Sequence, residues 1–345
     1  PLVPFVGCEG KPRKFQASFD GLFDTHAEMI GYAYSQKEFT KYADKIYSEM
    51  KRYSQLFDIY KEYDGINNLK TVNDAAGIQA VVVDESIITF LEYCKEVYEN
   101  TDRTVNVALG SVLSVWHEYR TNANENWAEP KIPSVNELLT GNGLSDINDL
   151  IIDNEKNTVF LAKKGMSLDV GATAKGYAIA LAIEEAKKIG LLSMLVNMGG
   201  NISAIGKPLD GARERWGVGI QDPKLDVNGI SNILDTIYFE DNSIVTSGDY
   251  QRFYMVDGKK IHHIIDPITL MPADHFASVS VLHPDSGLAD ALSTAIFILP
   301  KEEGETLARG YGAEVIWVYA DGNVEYTDGY MAISQTYGNY SAVDD

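Results

Sequence analysis

Residues 288–299 read LADALSTAIFIL. Leu288, Ala291, Leu292, Ala295, Ile298 and Leu299 recur at helical spacing, so the spacing predicts a helix with an apolar stripe toward a core. Asp290 and Thr294 are four residues apart and share a face. Ser293, three after Asp290, lies beside them. Burying a carboxylate or hydroxyl without a partner costs on the order of 1–3 kcal/mol or more. Two readings fit. One is a hard-cation site built from oxygen ligands, suited to magnesium with water and phosphate completing the shell. The other is a helix whose polar residues cap locally or face solvent.

The stretches around this helix are rich in hairpins. EVIWVYADGNVEYT (314–327) turns at Asp321-Gly322, and ASVSVL (277–282) alternates as a strand does. HHIIDP (262–267) reads as a strand stopped by Pro267. Asp257-Gly258 between Met255 and Ile261 suits a two-residue type I′ turn. WGVGIQDP (216–223) is another strand, and LLSMLVNMGGNISAIG (191–206) reads strand, Gly-Gly turn, strand. In residues 166–190, Met166–Val170 is expected as a strand, Gly171 as a turn, and Ala172–Ile189 as a helix closed by Gly190. Leu150–Ile152 and Thr158–Leu161 flank a turn.

The first half holds longer helices. Ser35 and Glu38 have capping-box spacing, and Phe39, Ala43, Ile46, Met50, Tyr53 and Phe57 line one face behind them. Tyr60–Asn73 is turn-rich and reads as a shaped loop. Val81–Val83 is a short strand, and ESIITFLEYCKEVYE (85–99) a helix. Residues 101–119 pass from turn to an apolar helix ending at Trp116. Residues 120–148 read as a polar surface excursion, 9–18 as linker, and 19–34 as a short irregular or strand segment. Hairpins joined by a few long helices argue for an α+β fold, mostly antiparallel sheet. The expected organisation is residues 1–18 as leader remnant and linker, then one domain over 19–345.

The chain has 345 residues, 45% hydrophobic, with a formal net charge of -21. So acidic a surface, with no Lys/Arg cluster, argues against a nucleic-acid partner. A phosphate-bearing ligand would need a bridging cation. The two Cys form no disulfide framework. Cys94 sits on the stripe Ile87, Phe90, Leu91, Cys94, Val97 and reads as a core thiol. Cys8 follows Phe5-Val6-Gly7 and precedes a polar run, an arrangement similar to a bacterial lipobox. The expectation is an extracytoplasmic protein on a bacterial cell membrane, lipid-anchored through Cys8, with no spanning segment.

Several short stretches carry chemistry. In LDVGATAKGYA (168–178) a Gly turn delivers Asp169 to a helix start, where free N–H groups and Lys175 favour anions. Asp169 could accept hydrogen bonds from a ribose or a flavin ring, or the stretch could be a capped helix with a surface Lys. Asn197-Met198-Gly199-Gly200-Asn201 lets backbone approach a ligand closely. TSGDYQR (246–252) is a polar loop with small donors. Alternation puts His262 and His263 on opposite faces.

LDVGATAKGYA, LVNMGGNI, TSGDYQR, HHIIDPITL and ADALSTA occur in that order across residues 167–295. In that order they resemble the ApbE family of FAD:protein FMN transferases. Upstream, Phe23-Asp24-Thr25 stands where the family has Met-Gly-Thr. DGINNLKTVN (64–73) resembles its Ser-Glu-x-x-x-x-Asn loop, and VNVALGSVLSVW (105–116) its Phe-Asp-Pro-Thr-x-Gly-Pro segment. Asn106 replaces the usual Asp, Ser111 a Pro, Leu270 a Gly and Thr173 an apolar residue.

The resemblance implies a magnesium-dependent enzyme that takes FAD as substrate. Its partner would be an acceptor flavoprotein, whose Thr or Ser receives FMN as AMP is released. By the same resemblance, Asp290, Thr294 and the Ala172 carbonyl would bind Mg2+. Asp169, Lys175, Ile264, Phe23 and Ser293 would contact FAD, and Tyr60 with Thr104, Val105 and Asn106 would line the flavin pocket. His263 is the candidate proton acceptor, with Asp290 counted beside it as catalytic. A metal-dependent FAD pyrophosphatase and a non-catalytic flavin-binding surface lipoprotein are the alternative expectations.

Overall fold

The computed structural model describes residues 10–225 and 231–343. Cys8 and the lipobox-like run before it lie outside the described residues. At the centre is an eight-stranded sheet in which every neighbouring pair is antiparallel. Its order is Arg13–Leu22, Thr25–Ala33, Met194–Met198, Asn201–Ile205, Ser243–Gly248, Ser278–His283, Glu314–Val318, Val324–Tyr326. Long helices cover one face, and the hairpin Trp216–Leu225/Ser231–Phe239 packs Trp216, Val218, Ile220 and Phe239 on the other. This is the α+β architecture that the hairpins and long helices imply.

The helix around LADALSTAIFIL spans Ser286–Ile298, capped by Asp285, whose side chain accepts from the N–H groups of Gly287 and Leu288. One apolar stripe was the expectation, yet the helix is buried on nearly every side. Leu292, Ile296 and Phe297 pack on Val279 and Val281 of the sheet. Ala291 and Ala295 pack on Val105. The helix Ala174–Lys188 lies against it, and Gln36–Leu56 lies against Ala174–Lys188 in turn. All six residues expected on the inner face of that outer helix are buried.

Four expectations are corrected. Residues 13–18, read as linker, belong to a strand in register with Thr25–Ala33. Phe15 and Phe19 on its inner face meet Phe39 and Tyr47 of the first helix. Residues 166–170 form no strand. Their backbone is held by the Asn73 amide, which bonds both the Leu168 N–H at 2.8 Å and the Leu168 carbonyl at 3.0 Å. The Tyr60–Asn73 loop contains a helix, Leu69–Asp74, capped by Asn68. The helix ending at Trp116 instead continues to Asn124, and the polar stretch after it contains Val135–Asn142 behind a Ser134/Glu137 capping box. Also, Ser278–His283 alternates in sequence but is buried on both faces, with Ser280 Oγ 2.7 Å from Thr246 Oγ1.

The close approach of Ala174–Lys188 to Ser286–Ile298 depends on Gly176. A Cβ there would lie 2.3 Å from the Ser286 carbonyl oxygen and 2.5 Å from Asp290 Cβ. Backbone cannot move aside cheaply, so Gly176→Ala is expected to cost about 1–3 kcal/mol through overpacking. Denaturant unfolding checks this, and an unchanged midpoint at unchanged slope would show that the two helices tolerate separation.

Candidate functional site

A cleft of about 920 Å³ opens between the helical layer and the loops at the sheet end. Asp290 and Thr294 reach it from Ser286–Ile298, and Ala172 from the turn before Ala174–Lys188. Asp290 is 6% exposed, and its Oδ2 accepts from the Gly176 N–H at 2.7 Å. A carboxylate residue, a hydroxyl residue and the turn residue Ala172 thus line one cleft beside the place where the two helices touch. Among the described residues no group of three or more His, Cys, Asp or Glu could hold a metal. A softer ion that needs several nitrogen or sulfur ligands has no cage here. The donor set fits a hard cation that takes few protein oxygens and completes its shell with water and substrate phosphate.

Burial raises the Asp290 carboxyl above its usual range, opposed by the Lys175 charge and the Gly176 N–H. Burial lowers Lys175, and Asp290 opposes that shift. Each group therefore supports the other's charge. Lys175 Nζ also donates to the Gly199 carbonyl at 3.2 Å. Gly199 and Gly200 have φ of +55° and +86°, and a Cβ on Gly199 would lie 2.2 Å from Thr25 Oγ1. Glycine is therefore required where this turn meets the strand that starts at Thr25.

The opposite wall is built from loops locked by side chains. The Asp169 N–H donates to the Val107 carbonyl at 2.8 Å, and its carboxylate accepts from the Gly171 N–H at 2.9 Å. Burial pushes Asp169 up, opposed by Gly171, His117, Arg252 and Arg120. Asn106 lines the cleft, yet its amide caps the turn Val107–Leu109 through the Ala108 N–H and donates to the Ser145 carbonyl. Phe23, Tyr60, Thr104, Val105 and Ile264 line the same space. Ser293 does not. Its Oγ donates to the Asp290 carbonyl and pairs at 2.9 Å with the Oγ of Ser247, which does line the cleft, so Ser293 stands one residue behind the lining.

The stretch 262–267, expected as a strand, is strand only at His262, where Lys259–His262 ends, and the His pair divides at that end. His262 is buried, with Nε2 2.7 Å from the Ala273 carbonyl and its ring edge-on to Phe297. His263 faces the cleft, with Nδ1 3.2 Å from the Arg252 carbonyl. A carbonyl only accepts, so Nδ1 carries the proton and Nε2 keeps its lone pair. Burial, then Arg252, Arg120 and His262, push His263 down to about 3, so it is neutral at pH 7. Asp266 and Thr269, next to the pair in sequence, bond each other and lie outside the cleft lining.

The sequence reading overlooked His117 and Arg120. Both lie one turn apart on Gly110–Asn124, beyond its expected end, and both line the cleft. His117 Nδ1 is 3.2 Å from the Tyr60 hydroxyl, and the rings meet edge-to-face with centroids 5.4 Å apart. Their signal was present: in LSVWHEYR, Leu113, Trp116, His117 and Arg120 have helical spacing.

Comparison with known proteins follows the same residues. The model of the ApbE family matches residues 23–317. The chain is 35% identical over 271 residues to the FAD:protein FMN transferase of Treponema pallidum, covering 76% of this chain and 73% of that protein. The crystal structure of the ApbE protein of Thermotoga maritima superposes with a TM-score of 0.80 at 28% identity, covering 93% of this chain and 99% of that one. The apo flavinyl transferase ApbE of Pseudomonas stutzeri, at 19% identity and a TM-score of 0.75, shares the fold.

Proposed function

Because the chain belongs to the ApbE family, we propose that it acts as an FAD:protein FMN transferase that uses magnesium to place FMN on a Thr or Ser hydroxyl of an acceptor flavoprotein, releasing AMP. The enzyme is a transferase, and its flavin comes from FAD. The observation that carries the magnesium reading is that buried Asp290 lines one cleft together with the half-buried Thr294 and Ala172 and with Lys175, in a protein whose net charge is -21. Without a cation the pyrophosphate would meet Asp290 and an acidic surface.

Asp290, Thr294 and the Ala172 carbonyl would hold the ion, which would offset phosphate charge and support the departing AMP. The chain's own groups do the rest. The Gly199-Gly200 turn lets backbone approach the ligand, and Lys175 adds a point charge fixed by the Gly199 carbonyl. Tyr60, Phe23 and the 104–106 segment form the flavin wall, with Tyr60 held by His117. His263 Nε2 takes the proton from the acceptor hydroxyl as the hydroxyl oxygen bonds the flavin-side phosphorus. The bridging P–O bond breaks, and its electron pair leaves on AMP. The neutral imidazole has weak proton affinity before substrate arrives. Phosphate charge then offsets the two neighbouring guanidinium groups and raises it.

Among the described residues no helix is long and apolar enough to cross a membrane. The proposal includes a lipid anchor at Cys8, supported by the Phe5-Val6-Gly7-Cys8 junction. Two acyl chains hold a protein far more durably than one. A Cys8→Ser precursor should move from the membrane to the soluble fraction, and one that stays with the membrane removes this part of the reading.

Incubation with FAD, magnesium and a candidate acceptor, followed by intact mass, tests the activity. The expected product is acceptor heavier by one FMN unit less water, with one AMP released per acceptor. AMP without acceptor mass gain would make the protein a hydrolase. Neither product would make it a binder of flavin.

A further inference from the structure

Two arginines stand out because the roles already assigned do not use them. Arg120 and Arg252 both line the cleft. Among the described residues neither guanidinium makes an ion pair or hydrogen bond, although the chain carries 50 acidic residues that could supply one. Elsewhere on this protein such pairs are common: Arg52 binds Asp84, Arg213 binds Asp210 and Arg309 binds Glu305. Arg120 is half-buried, Arg252 is exposed, and Asp169 acts on both without bonding either, so both guanidinium groups keep their donors for an arriving anion.

Their position says where it arrives. Arg120 comes from the last turns of Gly110–Asn124, one turn beyond His117, which touches Tyr60. Arg252 comes from the loop after Ser243–Gly248, and its own carbonyl accepts from His263 Nδ1. The arginine backbone and the imidazole are therefore one unit. Both charges act on His263 and on Asp169, and all four residues line the same cleft. A proton acceptor must lie within about 3 Å of the attacking oxygen, so the space beside His263 is where the flavin-side phosphorus meets the acceptor. On that reading Lys175 and the Asp290 site are left for the AMP-side phosphate.

We infer that Arg120, together with Arg252, clamps the non-bridging oxygens of the phosphate that is transferred. The inference rests on the transferase reading above. In the step itself the acceptor oxygen bonds phosphorus, the hydroxyl proton goes to His263 Nε2, and the bridging P–O electrons leave with AMP. Charge on the equatorial oxygens grows or redistributes during that exchange, and a planar guanidinium meets two of them at once. A lysine offers only a point charge.

The test is Arg120→Ala and Arg120→Lys in the full chain, measured by AMP release with FAD, magnesium and acceptor. Loss of one transition-state contact lowers kcat about 10²-fold or more, so Arg120→Ala is expected to fall by that factor while KM for FAD changes only a few-fold. Arg120→Lys should fall between the two. Guanidinium ion in solution should restore part of the Arg120→Ala rate. A second readout is the acidic limb of the pH profile. The charged and titratable groups acting on His263 are Arg252, Arg120 and His262, and the two arginine charges hold its proton affinity down. Removing one arginine raises that affinity, so the limb moves to higher pH, a shift that a packing defect would not give. If Arg120→Ala raises KM alone, or leaves kcat and the pH limb unchanged, the clamp is wrong. If Arg120→Ala does not fold, Arg120→Lys with its intermediate rate and unshifted limb decides the question. Wild-type protein that releases no AMP overturns the transferase reading itself, whereas active wild type with an equally active Arg120→Ala overturns only this inference.

Discussion

The contact on which this structure depends is the hydrogen bond from the Gly176 N–H to Asp290 Oδ2 at 2.7 Å. It joins the start of one helix to the middle of another, deep in the molecule. Helix starts leave N–H groups without partners inside the helix, and a carboxylate is a favoured acceptor for them. The bond forms only because position 176 has no side chain. It satisfies one oxygen of a carboxylate that burial would otherwise push toward protonation. The same carboxylate still lines the cleft. A fold that needed only packing would place an alanine or leucine there, as it does at Ala291 and Leu292.

The rest of the site is arranged around that fixed point. The central sheet supplies rigid strand ends for the Gly199-Gly200 turn and the Thr246–Gly248 segment, and the separate hairpin Phe253–Val256/Lys259–His262 carries the His262/His263 pair. The helices supply Lys175, Asp290 and Thr294, and the side of the cleft opposite them is loop, made stiff by side-chain locks. Asn73 holds Leu168, Asn106 holds Ala108 and Ser145, and His117 holds Tyr60. Groups that must be placed within a fraction of an ångström thus sit on regular elements or on locked loops. Charge is concentrated the same way. Around one opening of an acidic protein, Lys61, Arg120, Lys175 and Arg252 stand among Asp24, Asp58, Asp169 and Asp290, so the cleft balances charge where the surface as a whole does not.

Much of this was legible in the sequence where local pattern and tertiary demand agree. The 286–298 helix, the Asp257-Gly258 turn with φ of 48° and 77°, and the division of His262 from His263 all follow from spacing or turn chemistry. The misreadings have physical causes. Residues 13–18 alternate Phe15, Ala17 and Phe19, but Arg13 and Lys14 at the edge of the sheet gave them a linker's composition. Residues 166–170 look like a strand because they are apolar, whereas their backbone partner is the Asn73 side chain, 95 positions away. Ser293 sits on a helix surrounded by protein, so spacing could not say which flank faces the cleft. Arg120 was overlooked because the helix was ended about two turns too soon, at Trp116 instead of Asn124.

The central proposal is that the charge of Asp290, beyond the one hydrogen bond its carboxylate accepts from Gly176, serves to hold a cation for catalysis. The direct test is AMP release from FAD per folded molecule for Asp290→Asn beside wild type, with magnesium in excess and unfolding followed on the same preparations. The amide keeps the shape and an acceptor for the Gly176 N–H but lacks the charge a hard cation requires. The account predicts loss of at least the roughly 10²–10³-fold attached to one transition-state contact, with folded protein retained. Turnover per folded molecule equal to wild type, with a lowered unfolding midpoint, would contradict it and leave Asp290 as a structural carboxylate.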